Sequence, residues 1–287
     1  METFINLTTN GIATGMAIFL FAVGLSIIFG LMDILNFAHG AFFLWGAYMG
    51  AWIFSQTQSF GLALLGAVLC GVILGTVLER LTISRVYGSH VSQMLLTMGL
   101  MLVLTELVRV LWGPNILTSP GPKWLEGSWD FGGIILVKYR LFTIAVGILI
   151  ALLVYFLLQR TRLGIIVRAG VENREMVQAL GIDIRKIFTL IFALGAGLAA
   201  LGGAMMGPLN GAISPTMGMD NQLLAFIVVV IGGLGSFIGS LAGALLVGLM
   251  GALVSWFAPE AALTVNVLLM AVVLLVRPRG LFGGGRI

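Results

Sequence analysis

Residues 33–52 read DILNFAHGAFFLWGAYMGAW. A carboxylate, an amide and an imidazole (Asp33, Asn36 and His39) recur three apart, Gly40 follows at once, and apolar residues surround them. Groups three apart are neighbours on a helix surface, so the stretch is either a polar seam along one helix or a break between two. The surroundings frame the question. Of 287 residues, 60% are hydrophobic and 9% are charged, against about 25% charged in soluble domains. Runs near twenty residues with almost no charge recur along the chain, each long enough for a hydrocarbon core of ~30 Å. The fold class is therefore all-α, a polytopic transmembrane helical bundle with about eight or nine hydrophobic segments, some of them broken or half-helices. The runs are continuously apolar rather than alternating, which argues against a β-barrel.

The segments read as Gly11–Leu31, Gly40–Ser55, Phe60–Leu78, Val91–Trp112, Leu141–Leu158, Ile187–Gly207, Leu223–Leu234, Gly239–Phe257 and Ala261–Val276. The one before Gly232–Ser236 is too short to cross alone at ~1.5 Å per residue; it is half a helix or extends back through Met217–Gln222. The chain reads as one transmembrane domain over residues 1–287, and its start lacks the basic segment of a cleaved signal peptide. Arg80 and Arg85 share one short loop, Arg160 to Lys186 hold six basic residues, and Arg277, Arg279 and Arg286 close the chain. Lys and Arg favour the cytoplasmic side. Counting crossings puts all three clusters there, with Gly113–Lys138 and its Trp124 and Trp129 outside and the N-terminus outside as well.

Glycines fall four apart at Gly46/Gly50, Gly71/Gly75, Gly203/Gly207 and Gly239/Gly243, the spacing that lets helix backbones approach in lipid. A faint likeness joins NFAHGAFFLWGA to GGLGSFIGSLAGA and suggests two related halves.

Residues 160–186 carry the most informative polar stretch. A short helix is expected over Val171–Leu180, bracketed by Gly170 and Gly181, with Met176, Val177 and Leu180 on one apolar face and Glu172, Arg174, Glu175 and Gln178 on the polar one. Gly181 is placed as a C-terminal stop and Asp183 as the cap of the next span. Such a helix either lies in the membrane interface or docks a cytoplasmic partner.

The order of several motifs resembles the bacterial ABC-importer permeases of the branched-chain amino acid type, the LivH-like family. Those motifs are ILNFAHG (34–40), LER (78–80), the Leu163–Ile182 stretch with its VRA, EN and LGI, GGLGSFIGSLAGA (232–244) and RPRGLFG (277–283). The chain departs from the family at Ala41, where an acidic residue is frequent, and at Gly164–Ile166. The resemblance implies a permease subunit without catalysis of its own, working in the bacterial inner membrane. It implies as partners a second, LivM-like permease or a copy of this chain, two cytoplasmic ABC ATPases that bind the ATP, and a periplasmic solute-binding protein. It implies that residues 160–186 form the cytoplasmic coupling segment, with Arg168, Glu172, Asn173, Leu180 and Gly181 at the ATPase contact. No cofactor or metal is expected on this chain, whose ATP would be held by partner subunits.

Asn36, Phe37, His39 and Gly40 are candidates for the translocation pathway, since irregular backbone at membrane depth is tolerated only where protein or water satisfies it. The competing reading has Asn36 and His39 capping a broken helix and bracing a neighbouring span. Asp33 is expected to pair with a basic loop residue, Glu106 with Arg109, and Asp220 to cap the helix after it. GGLGSFIG lacks the dinucleotide-binding spacing and reads as a tight turn or a helix break. A stand-alone ion-coupled transporter or channel would need a buried ionisable relay, and Asp33, Glu106 and Asp220 lie near segment ends.

Overall fold

The computed structural model describes residues 2–132, 134–172 and 174–283. Nine apolar helices build the described bundle: α1 (Glu2–Met32), α2 (His39–Thr57), α3 (Phe60–Leu81), α4 (His90–Trp112), α5 (Lys138–Arg160), α8 (Ile184–Asn210), α9 (Met217–Gly232), α10 (Phe237–Phe257) and α11 (Ala262–Val276). Two shorter helices, α6 (Arg162–Glu172) and α7 (Arg174–Ala179), join α5 to α8. Seven helices, α11 counted with its leading turn, are long and apolar enough to cross a membrane; α2 and the 16-residue α9 complete the nine. The segment before the glycine turn thus extends back to Met217.

The three described basic regions share one end of the bundle. Glu79 at the end of α3 bonds Thr189 at the start of α8, α6 packs on the end of α1 through Gly170 and Leu31, and the tail donates from Leu281 and Phe282 to the carbonyls of Ile231 and Gly232. The segment between α4 and α5 lies at the other end, where β1 (Leu117–Thr118) pairs with β4 (Ala212–Ile213) after α8. It is more ordered than a loop: β2 (Ser128–Phe131) and β3 (Ile134–Val137) form a hairpin with Trp129 opposite Leu136. Arg286 lies outside the described residues.

Small residues set the packing. Gly71 and Gly75 of α3, with Gly46 and Gly50 of α2, face Ala196, Ala200 and Ala204 of α8; a Cβ on Gly71 would lie 2.6 Å from the Ala196 carbonyl oxygen. Gly11 and Gly15 of α1 face Ala244 and Gly248 of α10, and Gly24 of α1 meets Gly195 of α8. Gly203 approaches the Phe43 carbonyl, and Gly239 and Gly243 meet Gly232 and Val228 of α9. Lipid tails are as apolar as leucine, so the close approach these glycines allow supplies the association energy.

The chain folds as two inverted halves. The start of α2 and the start of α9 are 217 − 39 = 178 residues apart, the ends of α1 and α8 are 210 − 32 = 178 apart, and the starts of α3 and α10 are 237 − 60 = 177 apart. Equivalent helices run in opposite directions, since α1 ends and α8 begins at the basic end. The likeness between NFAHG and GGLGS is therefore not the repeat. Gly40 corresponds to Gly218, and Ser59-Phe60 to Ser236-Phe237, after which Leu64/Leu241, Gly66/Gly243, Ala67/Ala244, Leu69/Leu246, Gly71/Gly248 and Val77/Val254 agree.

Replacing Gly46 by Ala would drive a methyl into the Ala200 backbone. It should cost about 1–3 kcal/mol as overpacking, whereas Gly99→Ala, with open space around it, should lose nothing and gain up to ~1 kcal/mol of helix propensity. Denaturant unfolding of both variants in detergent checks the difference.

Candidate functional site

The opening stretch is a break. Asp33 ends α1 with φ +55°, a left-handed conformation that Asp adopts more readily than most residues, and its N–H still bonds the Phe29 carbonyl at 2.8 Å. Residues 33–38 then leave the helix, so the three-residue spacing of Asp33, Asn36 and His39 does not lie along a helix. His39 Nε2 sits 2.9 Å from the Phe21 carbonyl oxygen. Phe21 precedes the end of α1 by eleven residues, about 16 Å of helix, a distance within the reach of the six residues 33–38 at up to ~3.3 Å each. The chain thus crosses to the basic end, re-enters to mid-depth, and starts α2 there.

Each polar group in the return segment has a specific environment. The Phe37 N–H donates to Thr97 Oγ1 of α4 at 3.2 Å, and Gln222 Nε2 of α9 approaches the Asn36 carbonyl at 3.4 Å. The Phe37 ring packs on Phe226 of α9 with centroids 5.1 Å apart. His39 is fully buried and stacks on Phe21 at 4.9 Å. A carbonyl only accepts, so His39 Nε2 carries the proton, and Nδ1 has no partner. His39 therefore braces a neighbouring span, but neither it nor Asn36 caps α2, whose N-cap is Ala38 without a side-chain bond. Gly40 lies inside α2, where a Cβ would overlap the Gly218 carbonyl of α9; its role is close approach, and the backbone break precedes it. Asn36 is 0% exposed, and both its side-chain polar atoms lack partners, as does Oε1 of the buried Gln222. Buried polar groups without partners cost about 1–3 kcal/mol each, and here they cluster where the two inverted half-helices begin.

Asp33 lies 3.7 Å from His90, an ion pair when the imidazole is protonated. Glu106 and Arg109 pair as expected, at 2.6 Å. Asp220 lies in the first turn of α9 rather than at its cap, which is Thr216. In GGLGSFIG, Gly233 and Gly235 take φ of +102° and +79°, and Ser236 caps α10 by accepting from the Gly239 N–H at 3.0 Å. That turn holds the closing RPRGLFG stretch through the Ile231 and Gly232 carbonyls.

At the basic end the expected single helix is divided differently. Gly170 does not begin it: α6 continues through Gly170 to Glu172, and the glycine makes room for Leu31. Asn173, one of the expected contact residues, lies outside the described residues, and for Glu172 the backbone alone is described. The stop at Gly181 is as expected. Its φ is +80°, its N–H bonds the Gln178 carbonyl at 2.9 Å, and the Ile182 N–H bonds Val177 at 3.3 Å, the paired pattern of a glycine-terminated helix. Asp183 caps α8 by accepting from the Arg185 and Lys186 amides at 3.1 and 3.4 Å. Desolvation pushes its carboxyl pKa up, but those amides and the Lys186 ammonium outweigh it and hold it below the usual value.

The apolar face of α7 is split. Val177 is buried, while Leu180 is 72% exposed and Met176 is exposed beside it. Arg168 turns inward: its guanidinium donates to the Leu158 carbonyl and, at 3.1 Å, to Gln159 Oε1, capping the negative end of α5. Sequence reasoning passed over Thr97, Gln93 and Gln222. The signal was there, since Gln93 and Thr97 are polar residues four apart in the first half of an apolar span.

The family described as "Branched-chain amino acid transport system / permease component" matches residues 7–277, and the chain belongs to it. It is 28% identical over 295 residues to the "High-affinity branched-chain amino acid transport system permease protein LivH" of Escherichia coli (strain K12), covering 98% of this chain and 96% of that one. It is 28% identical over 290 residues to the corresponding permease protein BraD of Pseudomonas aeruginosa, covering 96% and 94%. A "Fructose import permease protein FrcC" of Rhizobium meliloti matches over 191 residues at 28% identity, covering 63% of this chain and half of that protein. No solved structure matches the chain.

Asn36→Leu removes an unpartnered amide at little change in volume. It should leave unfolding stability unchanged or raise it by about 1 kcal/mol, whereas His39→Phe, which keeps the stack and loses the hydrogen bond, should lower it by about 1 kcal/mol. Chemical denaturation of the two purified variants reads both signs.

Proposed function

From that family membership, we propose that this chain forms half of the membrane pathway of an ATP-driven importer for branched-chain amino acids or a related small polar solute. The basic end faces the cytoplasm and the N-terminus faces outward, in a bacterial inner membrane. Two ABC ATPases, which bind the ATP, grip the basic end. A second permease, LivM-like or a copy of this chain, lies beside it, and a periplasmic binding protein delivers the solute.

The observation that carries the coupling reading is Leu180, 72% exposed on a helix end with no slack to the span after it. Gly181 stops α7 and Asp183 starts α8 two residues later, so a partner pushing on Leu180 moves α8. That helix carries the Ala196–Ala204 seam on which α2 and α3 rest. Glu172, Asn173 and Gly181 belong to the same contact region, and Arg168 positions it by tying α6 to α5. Solute passes at the junction of α2 and α9, bordered by Asn36, Phe37, His39 and Gly40. An unpartnered amide kept there at a cost in stability fits a group that meets a transient polar ligand. Driving such a gate from 1:99 to 99:1 takes ~5.5 kcal/mol of differential binding, which ATP and the loaded binding protein supply together.

Leu180→Asp should lower solute-stimulated ATP hydrolysis by the reconstituted complex about tenfold or more, a loss of ~1.4 kcal/mol in coupling. Its unfolding midpoint should not move, because the side chain is exposed. Wild-type stimulation in this variant refutes the docking assignment. Leucine, isoleucine or valine should stimulate the wild-type complex more than glutamate does; no response to any of the three refutes the branched-chain assignment and leaves the related small polar solute.

A further inference from the structure

At the basic end, between α3 and the start of α8, lies a cleft of about 450 Å³ lined by Glu79, Arg80, Ser84, Arg85, Arg185, Lys186 and Thr189. Its cations come from two places a hundred residues apart in sequence. Among the described residues no carboxylate lies within 4 Å of Arg80, Arg85 or Arg185, while Lys186 is 3.4 Å from Asp183. Four cations thus face two carboxylates, Glu79 and Asp183. Glu79 is itself used internally: it is 1% exposed and accepts from Thr189 Oγ1 at 2.6 Å and from the Tyr87 hydroxyl. Those two bonds tie the end of α3, the turn after it and the start of α8 together, so the cleft has fixed walls.

The inverted repeat supplies a control within the molecule. At the opposite end, the positions equivalent to Arg80, Arg85, Arg185 and Lys186 are Phe257, Ala262, Leu7 and Thr8, and the nearby space between α10 and the start of α1 is lined by Phe4, Leu7, Thr8, Leu249, Met250 and Leu253. The repeat therefore carries no cation at any of the four equivalent positions, and the arginines at the basic end are a chemical addition to that end alone. A preference for positive loops on one side accounts for their number, but not for their convergence on one walled space. Above Arg80, α3 presents an exposed stripe of Leu69, Ile73 and Val77 toward the middle of the membrane.

We propose that this cleft holds the phosphate of an anionic phospholipid from the leaflet at the basic end, with its acyl chains along Leu69, Ile73 and Val77. Guanidinium groups fork onto phosphate oxygens, and basic pockets at the cytoplasmic ends of spans suit such head groups. The site rests on the proposed orientation only for the choice of leaflet, and its test does not read transport.

Native mass spectrometry of the delipidated complex, titrated with phosphatidylglycerol or phosphatidylcholine, measures the site directly. Phosphatidylglycerol should bind the wild type at least about tenfold more tightly. Arg185→Gln should weaken it about fivefold, and the double variant Arg80→Gln/Arg85→Gln on the order of 20-fold, at roughly 1 kcal/mol per charge. Arg80→Lys/Arg85→Lys, which keeps the charge, should retain most of the preference, and Arg162→Gln, on the same end outside the cleft, all of it. Equal binding of the two lipids by the wild type overturns the proposal without any variant. So does competition by equimolar inorganic phosphate, which would mark a free-anion site, or a double variant that binds lipid normally but loses its ATPase subunits, which would mark a protein-docking face.

Discussion

Six residues of irregular backbone, 33–38, leading from the basic end back into the middle of the bundle, are what the rest of the structure is arranged around. Hydrocarbon offers no hydrogen bonds, so irregular backbone survives at that depth only when protein encloses and satisfies it. Here α1, α4 and α9 do so: Thr97 takes the Phe37 N–H, Gln222 reaches the Asn36 carbonyl, and His39 reaches across to Phe21. The glycine pair Gly40 and Gly218 lets α2 and α9 approach close enough to seal the segment. Substituting a larger residue at either glycine would open the seal and expose the backbone that it covers.

The inverted repeat explains why two such breaks exist. Residues 211–216 return from the end of α8 to start α9 as residues 33–38 return from α1 to start α2. The second return lies nearer the opposite end and is closed differently, by the β1–β4 pairing and the Ser119 N–H on the Gly211 carbonyl at 3.0 Å. Two helices that begin beside each other and run to opposite ends form a junction to which both halves of the protein contribute. Helix α8 links the basic end to that junction, since it abuts α2 directly and starts from the α7 joint. A displacement at the basic end therefore has a short, packed route to the centre, with no flexible loop along it.

Much of this was legible in the sequence, because a membrane makes hydrophobicity almost a direct readout of topology. The number of apolar segments and most of their limits, the shared end of the basic clusters, the Gly181 stop, the Asp183 cap and the Glu106–Arg109 pair all follow from local chemistry, whereas α1 begins at Glu2 rather than Gly11. What escaped was decided by tertiary contact. Asp33 turns left-handed because α4 and α9 receive the chain beyond it, which a three-residue spacing does not reveal. Gly170 looked like a helix boundary, yet it is a packing gap for Leu31 within α6. Val177 and Leu180 seemed to share a face, but the direction from which α8 covers α7 buries the first and leaves the second in the open. The repeat was visible in principle at Ser59–Gly71 against Ser236–Gly248, but the eye is drawn to the polar NFAHG and GGLGS motifs, which sit at non-equivalent breaks.

The central claim is that the junction of α2 and α9 opens for solute to pass. Phe37 and Phe226 face each other across it. A thiol cross-link between Phe37→Cys and Phe226→Cys, in a Cys70→Ala background, holds it shut. Transport by the reconstituted complex should stop on cross-linking and return on reduction, with ATP binding intact throughout. Undiminished transport by fully cross-linked protein would place the solute path elsewhere and contradict the account.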